Sequence, residues 1–423
     1  MSFKKLRVAE NEVIHLSTGP TTTTVFIFNL AVLGIHLWIT HFFFFLLSST
    51  LQIIPSKSTL PILTQIMIQA EENGKVTFSG SNLNIGIRVS AAAEVHETGV
   101  LTAPAKRLYE IIRALPNEPI DFHTSGAQIR LQCHRGFYQM IGIEADEFPS
   151  FPDASKQKKI TVDAEQFSYL IGKTSYAVST DEMRPMLNGV FWELYADGMV
   201  MVATDGHRLA KLRHQLAPEE IIVENTENEQ DVEDEKSEAE GSKIGVIVPP
   251  KALSLVHRLL RKHGEITVYF DENFILFTGD EDMIFSRLIE GDYVNYDQVI
   301  PYQNDKEVRT NRMDLLKAVR RVAILADELS HQIIFRVKPE LVELSVNNPE
   351  KGEAREEIAA EYKGEELAFG YNAQYLIDIL THFDSDNVLF KLGDSIAAGL
   401  ILPDPPQEDY DFLTLIMPIR LED

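Results

Sequence analysis

Apolar positions in this chain of 423 residues follow a plan that recurs. "TAPAKRLYEIIRALPNEPIDFHTSGAQIRLQC" opens with a proline-led stretch of helical periodicity and continues into alternating runs separated by turn residues. "VPPKALSLVHRLLRKHGEITVYFDENFILFTG" and "GYNAQYLIDILTHFDSDNVLFKLGDSIAAGL" have the same order. A further helix-plus-strands unit precedes each of the last two, at "TVDAEQFSYLIGKTSYAVS" and at "RTNRMDLLKAVRRVAILAD". Corresponding helix starts at Pro104, Pro250 and Asn372 are 146 and 122 residues apart. The longer gap contains "ENTENEQDVEDEKSEAEGSK", residues 224–243, an acidic tract without aromatics that reads as a disordered insertion. With it set aside, a repeat of about 120 residues remains. The pattern predicts an α+β chain of three tandem domains, each with two helices packed on antiparallel strands, over 52–152, 153–302 and 303–423.

The front of the chain departs from this plan. "VFIFNLAVLGIHLWITHFFFFLL", residues 25–47, is apolar and long enough to span a bilayer as a helix, and no small-residue cleavage site follows it. Three readings stand: a membrane anchor, a buried helix, or an upstream extension outside the working protein. The expectation adopted is an atypical extension over 1–51, ahead of the first domain.

Composition adds a constraint. A formal charge of −25 excludes general coating of nucleic acid or anionic membrane, so contact with DNA must be local. The helices supply such places. In "NRMDLLKAVRRVAILAD", Leu315, Leu316, Val319, Val322 and Ala323 share one face while Lys317, Arg320 and Arg321 occupy the other. "PPKALSLVHRLLRKHG" turns Lys251, Arg258, Arg261 and Lys262 outward, and "PAKRLYEIIRAL" adds Lys106, Arg107 and Arg113. One basic face is a solvated surface; its recurrence on several repeats of an acidic chain suggests phosphate contact without base readout. The lone cysteine, Cys133, reads as a buried structural thiol in a reducing compartment.

Catalytic signatures are missing: there is no phosphate-binding glycine loop, no dense metal-ligand spacing and no nucleophile elbow. "TDGHRLA", residues 204–210, concentrates polar chemistry after a strand. Asp205 and His207 there are either an acid/base dyad or part of a turn that holds a groove in shape.

"ATDGHRLA" and the terminal "MPIRL", with "IPSKSTLPIL", "EFPSFP", "MRPMLNGVFWE", "VIVPPKAL", "RVAILADE" and "NNPE", resemble the bacterial DNA polymerase III beta subunit, the replicative sliding clamp, from Ile54 to the end. The resemblance implies three clamp domains per chain and a head-to-tail homodimer closed into a six-domain ring around double-stranded DNA. It implies no catalysis, no cofactor and no metal. The implied partners are the catalytic subunit of the polymerase with its exonuclease, an ATP-driven clamp loader, and other polymerases and repair proteins that carry short linear motifs. The implied location is the cytoplasm, at the nucleoid. A membrane-tethered scaffold and an enzyme using Asp205 and His207 are the alternatives.

Position by position, the implied peptide pocket comprises Leu187, Thr204, Gly206, His207, Arg208, Leu209, Val299, Met417, Pro418, Ile419 and Arg420. Arg208 and Arg420 are expected to hold peptide carbonyls or an acidic flank. The pocket departs from the family pattern at Val294, Gln298 and Ile419, where proline, arginine and methionine are expected. The implied DNA-facing set is Lys106, Arg107, Lys173, Arg184, Lys251, Arg258, Arg261, Lys317, Arg320 and Arg321. The implied dimer contacts are Phe137, Met140, Ile324 and Leu325.

Overall fold

The computed structural model describes residues 47–153, 157–195, 197–215, 244–280 and 282–421, and upstream of them the backbone of four strands. The acidic tract 224–243 lies outside the described residues. The chain divides into two compact units, Met1–Asp153 with Leu276–Ser286, and Ala154–Ile275 with Arg287–Asp423.

In the first unit one antiparallel sheet runs in the order Gly136–Ile141, Gln128–Cys133, Ile120–Ser125, Gly34–Leu37, Glu94–Glu97. Strict alternation along "QIRLQC" buries Ile129, Leu131 and Cys133. Burial pushes the Cys133 thiol up, away from the reactive thiolate. A second sheet joins Ile85–Ala92, Lys75–Ser81, Gln65–Glu71 and Gly99–Pro104, and helix α1, Ala105–Ala114, follows directly. Leu108 and Ile112 of α1 are buried, whereas Lys106, Arg107 and Arg113 are exposed.

Residues 47–51 are helical, with Leu47, Ser49 and Thr50 buried. Gly80 lies against this stretch and the residues after it: an added Cβ would meet the Ile54 side chain at 3.0 Å and the Thr50 carbonyl at 3.4 Å. With Gly34–Leu37 paired into the sheet, the folded part of this unit extends upstream of residue 52, the boundary expected from the sequence. Lys4–Val8, Asn11–Ser17 and Thr22–Ile27 form a separate three-stranded sheet. The apolar run 25–47, for which a membrane anchor is one of three readings, falls mostly outside the described residues. Among those described, no helix is long and apolar enough to cross a membrane.

The second unit carries the second and third repeats. Helices α2, Ala164–Thr174, and α3, Pro250–Leu259, pack on each other, as do α4, Arg312–Val322, and α5, Ala373–Thr381. Side chains of Asp163, Asn311 and Asn372 accept first-turn amides of α2, α4 and α5, and for α5 this fixes the start within a residue of the expected Asn372. A single antiparallel sheet crosses both repeats: Ile244–Val248, Val190–Tyr195, Gly198–Thr204 and Arg208–Gln215, then Tyr410–Ile416, Gly399–Asp404 and Asn387–Leu392. The junction pairs Arg208 with Ile416, Leu209 with Leu415, and so on to His214 with Tyr410. This ladder brings the turn after Thr204 and the chain's C-terminal segment to one place.

Candidate partner site at the junction of the second and third repeats

The turn 204–208 is built by its own polar groups. Thr204 Oγ1 donates to the Arg208 carbonyl at 2.6 Å and accepts from Gly206 N at 3.0 Å. Asp205 Oδ1 accepts from the amides of His207 and Arg208, both at 2.9 Å, and its Oδ2 accepts from Arg208 Nε at 3.1 Å. Gly206 has φ +88°, which a side chain rarely adopts, and an added Cβ would meet the Arg184 guanidinium at 2.9 Å. Asp205 thus caps backbone amides and pairs with Arg208, and the dyad reading gives way to the turn reading. The His207 ring faces Tyr375 instead, with centroids 6.3 Å apart.

Arg208 corrects the expectation that it holds peptide carbonyls. Its side chain is 10% exposed, and Nη1 donates to Asp378 Oδ2 on α5 at 2.5 Å. Its Nη2 donates to the Tyr176 carbonyl at 2.9 Å, and the guanidinium lies 4.6 Å from the Tyr375 ring centroid. It is a clasp between the second and third domains. Lys173, expected to face DNA, is 7% exposed and belongs to the same seam. Its ammonium donates to the His382 carbonyl at 2.5 Å and pairs with Asp384 at 2.7 Å. Burial lowers its pKa, against the pull of Asp384. Burial pushes the Asp384 carboxyl up, but hydrogen bonds from Lys173 and Tyr169 outweigh it, and it stays below the usual carboxylate range. The seam closes with Tyr176 stacked on His382 at 4.1 Å.

Of the residues expected in the pocket, Leu187 and Leu209 are buried, and Leu209 packs in one apolar cluster with Leu415, which stands opposite it, and with Tyr296 and Ile300 of the following connection. Exposed Val299 and Val294 stand on the connecting segment 288–301, and exposed Met417 stands at the end of the last strand. Met417 N donates to the His207 carbonyl at 2.7 Å, and Ile419 N to the Gly370 carbonyl at 2.7 Å, so the terminal "MPIR" is held on both sides. Pro418 and Ile419 are half-buried and Arg420 is exposed. Arg184, expected to face DNA, lies over Gly206 and pairs with Asp181 at 2.9 Å. Sequence reading missed Tyr176, Tyr375 and Asp378; for the last two the signal is an aromatic and an acid one turn apart on an amphipathic helix.

Of the remaining basic residues, Lys251, Lys317 and Arg320 are exposed on their helices and Arg261 is exposed just beyond the end of α3. Arg258 is half-buried, and desolvation lowers its pKa. Arg321 makes two hydrogen bonds to Glu356. Among the expected dimer contacts, Phe137 on the edge strand Gly136–Ile141 and Ile324 after α4 are exposed, and Leu325 is half-buried. Met140 is not available to a partner: the strand's alternation turns it inward, 3% exposed, and puts Ile141 outside.

Repeated two-helix, antiparallel-sheet domains with basic helix faces and a small apolar site at a domain junction define a clamp-type scaffold. Family models of the DNA polymerase III beta subunit match in chain order: the N-terminal domain over residues 41–152, the central domain over 161–295 and the C-terminal domain over 297–420. The chain belongs to this family and is a DNA sliding clamp for replication, a non-catalytic processivity factor. It is 30% identical over 382 residues to the beta sliding clamp of Synechococcus elongatus, across 89% of this chain and 96% of that one. The beta sliding clamp of Staphylococcus epidermidis is 30% identical over 386 residues, 88% of this chain and 96% of its own length. The crystal structure of a DnaN sliding clamp from Bartonella birtlesii matches with a TM-score of 0.81 at 27% identity, over 92% of this chain and 100% of that one. The sliding clamp of Bacillus subtilis matches with a TM-score of 0.80 at 25% identity over the same shares.

Proposed function

We propose that two copies of the chain join head to tail into a six-domain ring around duplex DNA, which tethers the replicative polymerase while sliding without sequence preference. The observation that carries this reading is the segregation of charge. On a chain of net charge −25, exposed Lys251, Arg261, Lys317 and Arg320 stand on the solvent faces of α3 and α4 or just beyond them. A positive lining meets phosphates, and an acidic exterior keeps DNA off the outer surface. The exposed edge strand carrying Phe137 and the exposed Ile324 supply the joints between copies. A clamp loader opens the ring. The junction site takes short, partly hydrophobic motifs of the polymerase III catalytic subunit, of the loader and of other polymerases and repair proteins, with Val299 and Met417 as apolar anchors. Such a ring works in the cytoplasm, at the nucleoid.

The test is topological. After loading onto a nicked circular plasmid, the protein should co-elute with DNA in gel filtration and be released when the plasmid is linearised. Retention that is indifferent to linearisation would overturn encirclement.

A further inference from the structure

We infer that the hydrogen bond from Tyr296 to Glu193 pins the segment that carries one wall of the partner site, which makes Tyr296 and Glu193 positioning residues for peptide binding. The inference rests on the reading of that site as a peptide pocket.

Residues 288–301 lead from the second domain into the third outside any sheet, with one 3-10 turn, Tyr296–Val299. Val294 and Val299 hold their place in the pocket only as firmly as this strap is held. Its start is tied by backbone bonds, Leu288 N to Asn273 O at 2.9 Å and Ile289 N to Ile247 O at 3.0 Å, and near its end Ile300 is sunk in the apolar cluster around Leu209, Leu400 and Leu415. Between these ties the strap depends on side chains. Asp297 pairs with Lys211 at 2.7 Å, but Asp297 is half open to water, where such pairs hold weakly. Tyr293 stacks on Phe191 with centroids 4.7 Å apart, a contact that tolerates sliding.

The Tyr296 contact differs from both. Glu193 is fully buried on the strand Val190–Tyr195, and its Oε2 accepts from the hydroxyls of Tyr296 and, at 3.1 Å, Tyr195. A buried carboxylate needs its donors, and leaving one unmade is costly. Burial and the bond to Glu193 push the Tyr296 phenol far up, so it remains a donor. Tyr296 opens the single turn that ends at Val299, so fixing the first residue orients the fourth.

The two phenols on one carboxylate supply the control. Tyr296→Phe and Tyr195→Phe each delete one hydroxyl from the same acceptor and keep the ring, but only Tyr296 belongs to the strap. With the full-length chain, a fluorescein-labelled hexapeptide bearing leucine and phenylalanine should dissociate roughly 5- to 10-fold faster from Tyr296→Phe, with wild-type behaviour in Tyr195→Phe. Hydrogen exchange of the amides of 292–300 should accelerate several-fold in Tyr296→Phe alone. Equal effects in both variants, or strap exchange unchanged in Tyr296→Phe, would overturn the pin. A wild-type chain that does not bind the peptide would overturn the pocket reading and the positioning role with it, while the exchange comparison would still show whether the strap is pinned.

Discussion

Arg208 concentrates the problem of reading function from single residues. In sequence it is a cation beside a histidine and an aspartate; in the structure it is a buried clasp on Asp205, Asp378 and the Tyr176 carbonyl. Removing one member of such a network leaves buried charge unpaired, at a cost of about 3–5 kcal/mol. Arg208→Ala should therefore lower the unfolding free energy obtained from urea titration by about that margin and weaken the peptide site, whereas Arg208→Lys, which keeps the charge without the planar fork, should fall between. Glu343 invites a test of pH. It is buried, and the hydrogen bond from Lys338, with Arg355 and Arg336 alongside, holds its carboxyl below the usual range against the cost of burial. A depressed folded pKa contributes stability that is fully present above the unfolded value of about 4.3 and is lost as pH falls through the folded one. Glu343→Gln should melt roughly 2–5 °C below wild type at pH 7, and the gap should close on acidification towards pH 3. A gap that persists in acid would show that packing, not charge, is lost.

Helices and strands were more legible than their side chains' partners. The starts at Pro104, Pro250 and Asn372 follow from proline at a first turn and from capping chemistry, both local in sequence. The apolar face of α4 was legible for the same reason, since Leu315, Leu316, Val319 and Val322 are all buried. Lys173 was not: its partners, the His382 carbonyl and Asp384, belong to another domain, and helical periodicity has no access to contacts at that distance. Met140 missed by one position, because the face a strand residue takes depends on register. Two predictions belong at this scale. Charge reversal of Lys317 and Arg320 on α4 should reduce DNA-stimulated processive synthesis several-fold and flatten its salt dependence while peptide affinity stays at the wild-type value. Arg321 is left out because its fork already engages Glu356, so reversing it would add repulsion on the protein itself. Deleting residues 419–423 removes the Ile419–Gly370 tie and leaves Met417 and Pro418 held on one side only, by the Met417–His207 bond, while the ladder of Tyr410–Ile416 remains. Peptide affinity should fall about tenfold with the oligomer intact, as read by fluorescence anisotropy beside light scattering.

For the whole molecule, the two tasks of the proposed ring reside in separable parts. Every residue of the proposed partner site lies in the unit formed by Ala154–Ile275 and Arg287–Asp423, so the proposal needs only one chain for that site. The proposed joint instead takes Phe137 from the other unit and Ile324 from a second copy of this one. Two chains of charge −25 repel each other, and repulsion between exposed charges is screened over about 10 Å at 0.1 M salt. Apolar contacts at the joint must overcome what remains. Salt should therefore act in opposite directions: it should tighten the dimer and loosen contact with DNA phosphates. Placing a carboxylate at each joint, Phe137→Asp with Ile324→Asp, adds a desolvation penalty on a surface that association would bury. Light scattering should then find half the wild-type mass, and the monomer should bind peptide like wild type while losing retention on circular DNA. A double variant that remains dimeric would move the joint elsewhere, and one that is monomeric but cannot bind peptide would mean that the site depends on the ring.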